Sequence, residues 1–226
     1  MLHIDHLLIG SIAPLGPRRT ASGIDKGAIS GRLWLDKDGF TGDAQGDRKH
    51  HGGVEKAVHH YAFDHYEAWR SAIGAIPILR RPGAFGENIS TTGLAEAMVA
   101  VGDVYRVGEA LIEVSQGRQP CWRLNARFGL SDMALRVQES GRIGWYYRVL
   151  EPGFVAAGDS MDLIDRCTPD WTIERLWYVF YVDPLNFDEL AAMSVLPSLP
   201  EDWRRYAQRR LATRVVEDWA QRLKGD

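Results

Sequence analysis

Residues 98–114 read MVAVGDVYRVGEALIEV. Three short apolar runs, Met98 to Val101, Val104 to Val107 and Ala110 to Val114, are cut by Gly102-Asp103 and by Gly108-Glu109. Runs this short, closed by glycine next to a carboxylate, predict strands joined by tight turns. The same texture extends both ways. Ile29 to Leu35 alternates in part, and Phe154 to Ile164 repeats the pattern around Gly158-Asp159. Of the 23 glycines, 20 fall in the first 150 residues, so the turn-rich part of the chain lies there. Many short strands must hide their edges, which predicts a closed or nearly closed β structure. Two helices are expected to interrupt it, one over Val54 to Ile73 and one over Met133 to Glu139, the latter capped by Ser131-Asp132 and ended by Gly141.

Near residue 165 the pattern changes. Thr172 caps a predicted helix with Ile173, Leu176, Trp177 and Phe180 on one face, and Pro184 ends it. Phe187 to Met193 is a second helical stretch, closed by Pro197. Ser198 and Pro200 open a further stretch, Glu201 to Leu223, whose apolar stripe includes Trp203, Tyr206, Leu211 and Trp219, so that the tail reads as three or four short helices. The reading is α+β and mainly β: a β-barrel domain over 1–165 and a small helical module over 166–226. The module buries little alone, so it is expected to pack on the β domain or on a second subunit of a homodimer.

Charged residues are 25% of the chain and the formal net charge is −3, which argues against general binding to a phosphate backbone. Any anion site must be a local cluster of basic residues. The two cysteines, Cys121 and Cys167, are too few for a disulfide scaffold. The apolar N-terminal stretch has no basic flank and is cut by Gly10 and Pro14, so neither a signal peptide nor a membrane span is expected. A reducing cytoplasm follows as the expected location.

Three segments carry unusual chemistry. Gly42 to Val58 holds Lys49, His50, His51 and Gly52-Gly53 ahead of a predicted helix. Glycines allow close approach, and the free N–H groups of a helix start suit an anion; a basic surface loop is the plainer alternative. Pro82 to Ser90 sets Gly83 and Gly86 around Phe85, then Glu87 and Asn88; it is either a tight turn or part of a site. Ser115 to Asn125 places Cys121 after Pro120 and between Arg118 and Arg123. Nearby cations favour thiolate, the nucleophilic and metal-ligating form, although a buried structural cysteine is the commoner fate. Cys167 has no such setting and reads as structural. The histidines at 59, 60 and 65 lack i,i+4 zinc spacing. A hydrolase pairing Cys121 with His51 has no local nucleophile signature behind it.

Together these segments resemble the MOSC domain, named for the C-terminal region of molybdenum-cofactor sulfurase, and most closely its bacterial YiiM-like branch, the 6-N-hydroxylaminopurine resistance proteins. The carriers are residues 35–43 (Leu35 to Asp43), His51-Gly52-Gly53, Lys56-Ala57-Val58, His60-Tyr61, Phe85 to Asn88, Gly102-Asp103, Ser115-Gln116, Pro120-Cys121, and Gly144-Trp145-Tyr146 with Arg148-Val149 and Gly153. The tail resembles the three-helix module appended in that branch. The resemblance spans roughly residues 8–223, and order and spacing make it specific.

It implies a β-barrel, a pterin-bound molybdenum carried by Cys121, and reduction of N-hydroxylated bases and related compounds. The molybdenum cofactor brings two dithiolene sulfurs, so one thiolate from the protein suffices. Its phosphate needs basic partners, for which the candidates are Lys26, Arg32, Lys49, Arg118 and Arg142, with Gly52 and Gly53 allowing close approach. His51, Glu87 and Asn88 are candidates to orient substrate or supply protons. The alternative is a noncatalytic carrier of the cofactor or of its sulfur, using Cys121. Full-length sulfurase needs a pyridoxal-phosphate domain, for which 226 residues leave no room, so the reductase reading is favoured. No Gly-x-Gly-x-x-Gly fingerprint and no iron–sulfur cysteine set is present, so electrons must come from an external donor protein. The expected partners are that donor and a small N-hydroxylated substrate, with neither nucleic acid nor membrane.

Overall fold

Gly108 adopts φ +54 and opens the two-residue turn that joins β9 (Asp103–Val107) to β10 (Ala110–Gly117). Glycine at the first turn position is what a tight hairpin of this length needs. The computed structural model describes residues 2–46 and 52–225. Around this hairpin an eight-stranded sheet runs in the order β13 (Met161–Arg166), β9, β10, β11 (Trp145–Glu151), β7 (Val58–Ala62), β8 (Ile89–Thr91), β1 (His6–Ile9), β4 (Gly27–Ala28). All its pairings are antiparallel except β7 with β8. Beside it lie a three-stranded sheet of β12 (Gly153–Ala156), β5 (Arg32–Asp36) and β6 (Gly39–Phe40), and a hairpin of β2 (Ala13–Leu15) and β3 (Thr20–Ser22).

The large sheet curls. Residues ahead of β1 reach the opposite margin, where Ile4 N–H donates to the Asp159 carbonyl (3.0 Å) and Met161 N–H to the Leu2 carbonyl (2.9 Å). Those bonds join the ends of the sheet and satisfy edge groups that would otherwise stand open. The α+β, mainly β barrel predicted from the glycine-cut runs is the architecture observed.

Four local expectations need correction. The first is Met98 to Val101, which is no strand: Glu96–Met98 is a 3-10 turn, and Ala100 makes only an isolated bridge to Thr172. Val54 to Ile73 is not one helix: a 3-10 turn (Val54–Lys56) leads into β7, and the first helix, α1, spans His65–Ile73. All five residues of β7 are buried, so the strand lies between covered faces and shows no polar alternation to betray it. Helix α3 (Met133–Ser140) is not capped by its own Asp132, whose carboxylate pairs with Arg136 at 2.9 Å. Asn125, in α2 (Arg123–Phe128), accepts the Ala134 N–H instead, at 2.7 Å. Finally, Glu201 to Leu223 divides into α6 (Glu201–Thr213) and α7 (Ala220–Lys224). Arg214 turns left-handed at φ 57, and β-branched Val215 and Val216 follow.

The tail contains α4 (Ile173–Trp177), which runs into a π-helical turn (Tyr178–Val182), then α5 (Phe187–Ser194), α6 and α7. Thr172 caps α4 by accepting the Arg175 N–H, and Asn186 caps α5 by accepting that of Glu189. Phe180 packs on Trp203 (4.5 Å between ring centres) and on Trp219. The tail rests on the barrel through Ile173 and Leu176, buried in the same core as Val114 and Ile143. No helix is long and apolar enough to cross a membrane, among the described residues.

Candidate functional site

The loop before β8 is built by one carboxylate. Glu87, fully buried, accepts N–H groups from Gly83 (2.6 Å) and Phe85 (3.0 Å), together with the Tyr66 hydroxyl. Gly83 and Gly86 take φ +99 and +76, where a side chain would be strained; a Cβ on Gly86 would lie 2.7 Å from Ile24. Asn88 then stitches three strands. Its Oδ1 accepts the His59 N–H at 3.1 Å, and its Nδ2 donates to the Leu8 carbonyl (3.1 Å) and to Asp43 (2.9 Å). Asp43 also accepts from Gly10 N–H and forms an ion pair with Lys26.

Opposite this loop, β10 ends at Gly117 and the chain turns at Pro120 into Cys121, whose carbonyl accepts the Leu124 N–H as α2 begins. The guanidinium of Arg118 crosses the gap and donates to the Phe85 carbonyl at 2.7 Å. Between the two loops lies an open cleft. Cys121 lines it, and so do Lys26, Lys56, His59, Asn88, Arg118, Arg123 and Tyr146. Four of these are cationic residue types, and no Asp or Glu is among the described residues of its wall. The lining is therefore basic, with Lys26 already paired to Asp43, and lies next to a thiol that is 7% exposed.

Burial governs the titration of its walls. It pushes His59 well below the usual histidine range, and the charge of Arg118 adds to the effect, so the imidazole is neutral. A backbone hydrogen bond with Gly86 engages the ring, while Nε2 is buried with no partner among the described residues. The neighbouring Tyr146 ring lies 5.0 Å from that of His59. Burial raises its phenol, so Tyr146 keeps its proton. Lys26 is lowered by burial against the opposing pull of Asp43.

Of the residues singled out from the sequence, Cys121, Lys26, Arg118 and Asn88 meet at this cleft. Lys49 and His51 lie outside the described residues. Glu87 stands behind the wall, inside its own loop. Gly52-Gly53 precedes a single 3-10 turn rather than a helix, so the expected run of helix-start N–H groups is not formed there. Arg32 is exposed, paired with Glu109 and stacked over Phe154; Arg142 stands over Trp69. Neither lines the cleft. Lys56, His59 and Tyr146 are wall residues that the sequence reading did not assign. Lys56 and Tyr146 fall within the segments quoted above, but only the pairing of β7 with β11 brings Tyr146 opposite His59. Cys167 sits apart, its Sγ 3.7 Å from the Gly102 carbonyl and from Ser198 Oγ. No group of three or more His, Cys, Asp or Glu that could hold a metal occurs among the described residues.

A curled sheet with a thiol in a basic cleft and a helical appendage agrees with the family to which sequence similarity assigns the chain. It is a member of the MOSC family: a model of the MOSC domain matches residues 47–162, and one of the YiiM-like 3-alpha helix domain matches residues 171–214. MOSC domains are associated with the molybdenum cofactor. Within the family the chain is similar to protein YiiM of Escherichia coli (strain K12), with 38% identity covering 92% of this chain and 93% of that protein. The crystal structure of YiiM from Escherichia coli superposes with a TM-score of 0.80 at 34% identity, covering 94% of this chain and 98% of that one. A protein of Gibberella moniliformis named "Reductase" is 37% identical over 78% of this chain, which spans only 31% of that longer protein.

Proposed function

We propose that the chain is a molybdenum-cofactor-dependent oxidoreductase that reduces N-hydroxylated bases and related compounds, with Cys121 as the protein's ligand to the metal. The observation that carries this reading is a buried thiol set in a cleft whose described wall carries Arg118, Arg123, Lys56 and the Asp43-paired Lys26. Residues of this kind fit the cofactor: a soft thiolate for molybdenum, guanidinium and ammonium groups for the phosphate, and an unmet polar atom at His59. When bound, the cofactor supplies the two-electron chemistry and a site that takes up oxygen.

The chain's own residues bind and orient. Arg118, Arg123, Lys26 and Lys56 hold the anionic ligand, while Asn88 and Glu87 keep the facing loop in place. Tyr146 holds its proton at the phenol oxygen and presents a donor at the wall. Reducing a hydroxylamino group to an amine breaks one N–O bond, consumes two electrons and two protons, and releases water. An external donor protein supplies the electrons. The fungal relative named "Reductase" supports the redox class.

Cys121→Ser tests the reading in protein purified from a host that makes the cofactor. Serine is nearly isosteric, so stability should change by about 1 kcal/mol or less, whereas its harder, far less acidic oxygen should not replace the thiolate. Expected are loss of bound molybdenum and of hydroxylaminopurine reduction in a folded protein, with Cys167→Ser unaffected. A parent protein carrying neither molybdenum nor pterin would overturn the proposal. A parent that carries cofactor yet reduces nothing, even with a competent electron donor, would make it a carrier.

A further inference from the structure

Cys121 is seated by the far end of the chain. The guanidinium of Arg222, in α7, donates through Nη1 to the Pro120 carbonyl, while the backbone carbonyl of the same residue accepts the Trp122 N–H at 2.9 Å. The Pro120 carbonyl belongs to the peptide plane entering Cys121, and the Trp122 N–H to the plane leaving it. Because peptides are planar, those two planes define φ and ψ at Cys121 and hence the direction of its Cβ and thiol. A single residue thus holds both.

Arg222 is itself restrained. Nη2 donates to Gln138 Oε1 at 2.6 Å, and the guanidinium lies over the Trp219 ring at 4.9 Å and the Tyr181 ring at 5.6 Å. Around it the end of the chain is fastened to neighbouring elements: Asn125 Nδ2, in α2 just after the Cys121 loop, donates to the Leu223 carbonyl at 2.8 Å, and Arg18, between β2 and β3, donates to the Gly225 carbonyl. Gly225 lies so near the Trp122 indole that a Cβ there would come within 2.5 Å of it. Among the described residues Arg222 does not line the cleft, and the matched three-helix region ends at residue 214.

We propose that Arg222 is a positioning residue for Cys121, and that α7 belongs functionally to the cleft although it lies outside its wall. This rests on the reading of Cys121 as the reactive thiol, but its test needs neither cofactor nor turnover. In a Cys167→Ser background, Cys121 is the only cysteine, and its alkylation by iodoacetamide is followed across pH well below the melting temperature. Releasing the loop by about 1.4 kcal/mol corresponds to about tenfold faster alkylation, which is the increase expected for Arg222→Gln. Arg222→Lys, which keeps a charged donor, should restore part of the protection. Gly225→Ala leaves Arg222 in place but displaces Trp122, so it should act in the same direction; it also carries the test if Arg222→Gln fails to fold. A lowered melting temperature with alkylation no faster than in the parent, in every variant that folds, would overturn the proposal. Fast alkylation in the variants of a protein that binds no molybdenum would sink the cofactor reading and leave the seat intact.

Discussion

Arg118 has two partners of different kinds, the Phe85 carbonyl it bonds and the cleft it lines. Arg118→Ala removes a charged hydrogen bond at a nearly buried position, so a stability loss of about 1.5–3 kcal/mol is expected, with the fold retained. Two readouts separate its roles. Retention of cofactor should fall, because a cation is lost from the wall, and the His59 imidazole should titrate higher, because the Arg118 charge helps to depress it. Cofactor content and a His59 NMR titration both at parent values would assign Arg118 to structure alone. Its candidacy, like that of Cys121, was legible from local sequence: a cation and a thiol in one proline-turned loop after a strand. His59 was not, because its setting depends on Gly86, Tyr146 and Arg118, all distant in sequence. Asn88 lines the cleft, but that its amide also ties strands and Asp43 together is visible only in the fold.

At the scale of elements, the loop from Pro82 to Asn88 depends on Glu87 as a backbone acceptor. Glu87→Gln turns one of its oxygens into a donor facing donors. Leaving a buried N–H unmet costs about 2 kcal/mol, which for a chain of this size is a fall of roughly 4–8 °C in Tm. A thermal melt indistinguishable from the parent would show that the loop closes without the carboxylate. The β9–β10 hairpin was legible because Gly108-Glu109 cuts two apolar runs, whereas Gly102-Asp103 follows a 3-10 turn and Gly158-Asp159 links strands that pair elsewhere. Strand β7 was not legible. Val58-His59-His60-Tyr61-Ala62 is buried on both faces, and a short run without alternation next to a real helix reads as more helix. The break after α6 was hidden too, because the stripe continues through Val215, Val216 and Trp219 while Arg214 turns the backbone.

For the whole molecule, buried histidines set the response to acid. His60, bonded to Tyr147 and Thr91, is held by burial at about 3 against an ordinary value of 6.5, and His59 is depressed as well. Between those limits the unfolded chain binds protons that the native one refuses. Stability therefore rises with pH across this window and falls as the pH drops, by up to about 1.4 kcal/mol per pH unit for each histidine. Urea unfolding at a series of pH values should show this slope, shallower in His60→Asn; equal slopes in the two proteins would assign the acid sensitivity elsewhere.

The joining of the sheet's ends has a consequence in time. Ile4 and Leu2 find their partners only at Asp159 and Met161. On a ribosome that adds about 5–20 residues per second, roughly eight to thirty seconds separate the emergence of the first from that of the second. Through that interval the nascent chain carries an unpaired strand margin, and the contacts that cover it are among the most distant in its sequence. Such contacts are slow to form, so the closing of the sheet and the greatest exposure to sticking coincide late in synthesis, when the helical tail has yet to be made.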